Sequence, residues 1–318
     1  MAARPVVASF GSLNIDRLCR VETDRLQTLA ERYEWFPASG ETRLVEQLPP
    51  ALEADVDRQL LGGKGANQAV AAAHAGAEAR LYGKVGAESD ERPRTTLAER
   101  GVDTSALETA PVPTGTAYIF LDPAGDNRIA VLPGANGAVD EAYGDRQYQA
   151  IAQAELLLLQ NELPVAAASA LLDRLAGLAD RPTVLLDPAP ASGAAPLVGH
   201  ACVDVITPNE SEAAALAGPL ARTAAQVCYK HGPGPVQVEG PETAFEVSPP
   251  PADPVDSTGA GDVFAGYLGV ELARESSMRR AVETACVAAA KSVEAVGVQR
   301  AVPEREVVTA ECERYDAR

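Results

Sequence analysis

The chain is expected to fold as a three-layer α/β/α sandwich, a mostly parallel central sheet with helices on both faces, carrying a small β-sheet lid. Three observations predict this. Short apolar runs alternate with alanine-rich helical stretches, the pattern of strand-helix-strand units whose sheet is covered on both sides. Two glycine-rich runs, 62–65 and 259–261, each pass into a helical stretch of small residues. Two segments break the rhythm and alternate with period two, as half-buried antiparallel strands do.

Strands are expected at Val6 to Phe10, Ala79 to Lys84, Leu156 to Gln160, Thr183 to Asp187, Val203 to Thr207 and Gln226 to Lys230. Helices are expected at Asn67 to Gly76, Ser89 to Arg100, Val165 to Gly177, Glu210 to Ala217, Asp262 to Ala273 and Met278 to Val296. The stretch after Gly232, up to Pro254, is proline-rich and reads as irregular. The lid is assigned to 17–61, with Leu26 to Trp35 as a possible helix, and to 112–133, where Tyr118 to Leu121 and Ile129 to Leu132 flank a turn at Pro123 to Asn127. Residues 1–16, 62–111 and 134–318 then form the core.

The run Asp256-Ser-Thr-Gly-Ala-Gly-Asp262 ends at a helix N-terminus. There the first N–H groups lack intrahelical partners and carry the positive end of the dipole, so Ala260, Gly261 and Asp262 can hold an anion in a cradle. A carboxylate in that cradle suits a general base, which points to Asp262. The plainer alternative is an acidic first-turn residue stabilised by the dipole. The second run, Leu61-Gly-Gly-Lys-Gly-Ala-Asn-Gln68, sets Lys64 and Asn67 at another helix mouth, where both can bond hydroxyls. Neither run is a Walker A, since Gly65 follows Lys64, nor a Rossmann fingerprint, since Phe264 stands where the third glycine belongs.

Together the two runs resemble the paired signatures of the ribokinase or PfkB-type carbohydrate kinases. The resemblance covers nearly the whole chain: Gly11 to Asp16 look like the family's first strand and sugar turn, and Glu162, Asp187-Pro-Ala-Pro190 and Thr207-Pro-Asn-Glu-Ser-Glu212 follow in family order. It implies a ribokinase-like fold and ATP-dependent transfer of a γ-phosphate to a sugar hydroxymethyl. Asp262 would then be the base and Gly259, Ala260 and Gly261 the anion hole. Asn14, Asp16, Gly63, Lys64, Asn67 and Glu162 match sugar-holding positions. Asn209 and Glu212 match the motif that supports Mg²⁺ through its waters near the nucleotide; helix-start acids are the alternative. Asp256 and Thr258 match a K⁺ site, although Ala301 replaces its usual serine. Lys230 and Gly232 match the nucleotide loop, with Lys230 where relatives commonly have threonine. Lids in this family often clasp a second subunit, so a homodimer through the lid is expected.

A formal charge of −18, spread along the chain, disfavours nucleic-acid binding. Lys64, Lys84, Lys230 and Lys291 are its four lysines, so 27 basic residues minus 4 leave 23 arginines. Few lysines and many carboxylates suggest adaptation to high salt, where screening relieves self-repulsion. Cys19, Cys202, Cys228, Cys286 and Cys312 have no metal-ligand spacing and read as reduced thiols. With no apolar run of membrane length and no signal-peptide profile, a cytoplasmic protein is expected, without membrane partners.

Within the family the motifs lean toward ribose-type acceptors. Arg17, Arg43 and Arg128 leave a second reading open, because guanidinium forks suit phosphate: a kinase for ribose 1-phosphate, with nucleosides behind it. Surface pairing with carboxylates is the alternative for each arginine. The extended 17–61 segment is either a solvated decoration or a specificity element. A non-catalytic sugar sensor on the same fold is the remote alternative, and retention of Asp262 with both glycines speaks against it.

Overall fold

The computed structural model describes residues 3–39, 41–89, 91–123, 127–241 and 243–316. Among these, nine strands form the core sheet in the order Ala244–Val247, Val236–Glu239, Gln226–Tyr229, Val205–Ile206, Thr183–Asp187, Leu156–Gln160, Val6–Phe10, Glu78–Tyr82 and Val102–Asp103. All neighbours are parallel except at one edge, where Val236–Glu239 pairs antiparallel with both Gln226–Tyr229 and Ala244–Val247. The central strands are apolar on both faces, Leu156–Gln160 being buried throughout, because helices cover both sides. One core layer packs the Lys64–His74, Ala260–Ala273 and Met278–Ser292 helices on the sheet, and the other packs Glu141–Ala152 and Val165–Ala176.

A separate five-stranded sheet forms the lid, ordered Thr42–Leu44, Asn127–Leu132, Gly115–Leu121, Asn14–Arg20 and Arg58–Gly62. Its two faces differ. Cys19, Tyr118, Phe120 and Ala130 pack outward under Leu26, Leu29, Phe36 and Leu52, so the 17–61 segment, with its Thr23–Arg32 helix, roofs the lid. Ala117, Ile119 and Val131, with Leu18 and Ile129 beside them, make a smaller apolar cluster on the face that carries Asp16.

Several expectations need correction. The lid begins at Asn14, three residues earlier than the 17–61 assignment, because Asn14 already pairs with Gly62 and Gly115. The supposedly irregular 233–254 stretch holds two antiparallel edge strands; short alternating runs between prolines hide them from periodicity. The last core helix stops at Ser292, four residues before Val296, where Val293 O instead accepts the N–H groups of Val255 and Asp256 at 2.7 and 3.1 Å. The Glu141–Ala152 and Arg305–Asp316 helices were not foreseen. Residues 124–126 of the lid turn lie outside the described residues. All five cysteines are buried and free, and no helix among the described residues is long and apolar enough to cross a membrane.

Candidate active site

Two glycine-capped helices start face to face at the carboxyl edge of the core sheet. Gly63 caps Lys64–His74 at φ +89 and Gly259 caps Ala260–Ala273 at φ +80, backbone conformations that a side chain would strain. At Gly63 a Cβ would also strike the backbone of Leu13 and Asn14, and at Gly259 it would strike Val298.

Asp262, 5 % exposed, lies between these mouths. Its Oδ2 accepts Asn67 Nδ2 at 2.9 Å, its Oδ1 accepts Gln68 Nε2 at 3.1 Å, and Lys64 Nζ stands 3.5 Å away. Lys64 and Gln68 also reach Asp187 Oδ2, at 3.2 and 3.1 Å. Burial alone would lower the pKa of Lys64, but Asp187, Asp262, Glu162 and Glu212 outweigh it and hold the ammonium charged well above the usual lysine range. Asp187 is held below the ordinary carboxylate range, Lys230 and Lys64 prevailing over its burial.

Facing this cluster are the groups expected to hold sugar. Asn14, 3 % exposed, is fixed by Asn136, whose Nδ2 donates to its Oδ1 at 2.7 Å. Glu162 Oε2 accepts Ser12 Oγ and, at 3.0 Å, the N–H of Lys64. Burial raises the pKa of Glu162 despite Lys64. Burial, with Glu162 and Asp262 behind it, pushes Asp16 up to about 8. Mixed acids and amides around one ammonium suit sugar hydroxyls, which donate and accept at once.

At the second helix mouth, Ala260 N turns back to Ser257 O at 3.3 Å, and a Cβ on Gly261 would lie 3.3 Å from Lys230 Nζ. The cradle is therefore a backbone turn with an ammonium over it. Asn209 bridges the Lys230 backbone, and its side chain forms a capping box with Glu212, both Glu212 oxygens lying 2.9 Å from Asn209 nitrogens. Burial and Asp187 raise the pKa of Glu212. Asp187 and Glu212 are thus carboxylates within electrostatic reach of one another, and carboxylate oxygens are the ligand type that Mg²⁺ takes alongside water. Asp256 Oδ1 accepts Thr258 N at 3.0 Å and Oδ2 accepts Gly297 N at 3.1 Å, so Asp256 ties two loops together. Gly232 turns at φ +58 after Lys230 and His231, and nothing stands within 4 Å of where its Cβ would be.

The three arginines are not brought to this site. Arg17 follows Asp16 in the strand and so points to the opposite lid face, where it pairs with Glu53 and donates to Tyr118 Oη at 2.9 Å. Arg43 bonds Glu41 Oε1 at 3.1 Å and Glu34 O at 3.0 Å, and Arg128 lies 3.6 Å from Asp122. Conversely, Gln68, Asp187, Asn136, Gln160 and Gln299 belong to the site's hydrogen-bond network without having been singled out. Gln68 and Asp187 sat inside quoted motifs; for Asn136, Gln160 and Gln299 no spacing signal exists.

An α/β sandwich with a lid, two opposed glycine-capped helix starts and a buried carboxylate between them defines a class of phosphotransferase. The family model of the pfkB carbohydrate kinases matches residues 45–305, and the chain belongs to that family; it is a carbohydrate kinase. It is 35% identical over 262 residues to the ribokinase of Bacillus subtilis, an alignment covering 78% of this chain and 86% of that one. The ribokinase structure of Thermotoga maritima superposes at TM-score 0.76 with 28% identity, covering 97% and 99% of the two chains. The Arabidopsis thaliana ribokinase complexed with ribose and ATP superposes at 0.73 with 25% identity, covering 98% and 99%.

Proposed function

We propose that this kinase transfers the γ-phosphate of ATP to the hydroxymethyl group of a ribose-type sugar, with Asp262 as general base. The observation that carries the reading is the Asp262 carboxylate, buried at the mouth of one glycine-capped helix and held by Asn67 and Gln68 of the other. Ribose and ATP are bound by the Arabidopsis relative, and relatives called ribokinases recur.

In the proposed reaction Asp262 takes the hydroxyl proton as the sugar oxygen attacks the γ-phosphorus and ADP leaves. Gly259, Ala260 and Gly261 with Lys230 face the charge that builds on the phosphoryl oxygens. Asn14, Asp16, Gly63, Lys64, Asn67 and Glu162 place the acceptor, Asn209 and Gly232 flank the nucleotide. Glu212 and Asp187 would hold Mg²⁺ through its waters, where the ion would offset phosphate charge. Asp256 and Thr258 are the proposed K⁺ site. A lid-to-lid homodimer has less of the lid to use, since the outer face is roofed by its own chain; the edge strand, with Leu44 56 % exposed, is its opening. The ribose 1-phosphate reading loses its support with Arg17, Arg43 and Arg128 on the outer face.

The test is a phosphoryl-transfer screen with ATP and Mg²⁺ in concentrated KCl, comparing ribose, ribose 1-phosphate, adenosine, guanosine, fructose and 2-keto-3-deoxygluconate. Ribose is expected to give the highest kcat/KM; preference for ribose 1-phosphate or a nucleoside would replace the reading. Repeating it in choline chloride tests K⁺, and melting in dilute buffer against molar KCl tests the salt adaptation proposed from the charge of −18.

A further inference from the structure

A side-chain amide can hold a carboxylate only with its N–H groups turned inward, yet its nitrogen and oxygen are nearly the same size. Nothing within Asn67 itself chooses between the two orientations. The Asp262 carboxylate, which only accepts, favours the N–H, and the same choice is enforced from further out. Asn67 Oδ1 accepts Gln299 Nε2 at 2.8 Å, and Gln299 Oε1 in turn accepts Arg100 Nη1. A guanidinium has donors only, so it draws the Gln299 oxygen to itself, which turns the Gln299 N–H toward Asn67 and the Asn67 N–H toward Asp262.

Gln299 is 4 % and Asn67 7 % exposed, which keeps water from competing for these groups. Arg100 ends the Glu91–Glu99 helix and Gln299 stands in the turn after Gly297, far from both glycine-rich runs in sequence.

We infer that Arg100 and Gln299 are positioning residues for phosphoryl transfer, a guanidinium-amide-amide relay that keeps the N–H of Asn67 on the general base. The inference rests on the reading of Asp262 as that base. The other charged groups around Asp262 come from different sides: Lys64 at 3.5 Å, Asp187 through Lys64 and Gln68, Asp16 and Glu162 across the sugar site, and Lys230 over Gly261. Arg300 and Glu99 flank Arg100.

The experiment is single-turnover phosphoryl transfer by quenched flow across pH, with saturating ATP, Mg²⁺ and the accepted sugar. Gln299→Glu keeps and strengthens the contact with Arg100 but leaves no donor for Asn67, whose amide oxygen then faces a carboxylate whichever way it turns, so its N–H is no longer held on Asp262. The rate is expected to fall about 100-fold and the acid limb to move to higher pH, with sugar affinity within about threefold of wild type. Gln299→Met, which removes both contacts, should lose only about 10-fold, since Asn67 is then free to reorient. A wild-type rate and unmoved acid limb in Gln299→Glu, or greater damage from Gln299→Met, would overturn the relay, because an ion pair or packing role predicts that ranking. If Gln299→Glu does not fold, Arg100→Lys against Arg100→Met decides: lysine should retain the faster rate, and equal losses reject the relay. Asp262→Asn separates the two readings. Activity in that variant defeats the base itself, whereas an inactive Asp262→Asn beside an unaffected Gln299→Glu defeats only the relay.

Discussion

The helix starting after Gly63 and the helix starting after Gly259 are built alike and do opposite things. Each begins at a glycine of positive φ pressed against a neighbouring segment, and each turns its first N–H group on a nearby acceptor, Lys64 N on Glu162 Oε2 and Ala260 N on Ser257 O. The first contributes an ammonium and two amides, the second a carboxylate; the two sets meet within 3.5 Å. Local geometry therefore makes a mouth, and only its opposite number gives it a chemical role. An acid at the first turn of an isolated helix would be ordinary dipole compensation. Held by Asn67 and Gln68 and buried, Asp262 stands where the proposed general base is required.

The largest expected effect breaks that opposition directly. Asp262→Asn should lower turnover about 10³-fold, while ATP affinity by calorimetry stays within about threefold. Next, Lys64→Met leaves Asp187 and Asp262 facing one another without the shared cation. It should cost about 3 kcal/mol in denaturant unfolding and raise the sugar KM; unchanged stability would mean that the ammonium is not what holds the two mouths together. Gly259→Ala should cost roughly 1–2 kcal/mol from the positive φ, with more from Val298, and a wild-type melting curve would show that the turn is not strained.

A smaller effect is expected at Asp16. Its carboxyl, raised from 3.8 to about 8 by burial, Glu162 and Asp262, binds its proton more tightly folded than unfolded. Between those two values the native state holds the extra proton, so its contribution to stability is full below about pH 4 and is lost as pH rises toward 8. Asp16→Asn should remove that dependence. It should melt about 2–4 °C above wild type at pH 8, match it near pH 4, and lose sugar binding; a constant difference across that range would contradict the assignment. The smallest effect is predicted next door. Arg17→Ala, Arg43→Ala and Arg128→Ala should each leave the sugar KM within about twofold, because their partners are Glu53, Glu41 and Asp122 on the roofed face. A tenfold rise would put a lid arginine back on the substrate.

Much of the fold was legible because the reasons for it are local. Leu156 to Gln160 and Thr183 to Asp187 are apolar runs bounded by breakers, and their strands fall where periodicity puts them. The 236–247 strands were missed because each is four residues long and framed by proline or glycine, too short for a period to show. At the site, Asp262, Lys64 and Asn67 were readable from glycine-bounded motifs. Whether Arg17 faced the sugar was not, since that depends on which lid face the 17–61 segment covers.

The sequence by itself determined the alternation of strands and helices, the two glycine turns and the charge of −18, because propensity, backbone freedom and ionisation are properties of residues and their near neighbours. The tertiary structure alone decided that Gln299, 232 residues beyond Asn67, orients its amide, that Asp187 shares a lysine with Asp262, and that adjacent Asp16 and Arg17 face opposite ways into different environments. Hydrogen-bond direction, burial and charge coupling act through distances of a few ångströms, and only the folded chain sets those distances.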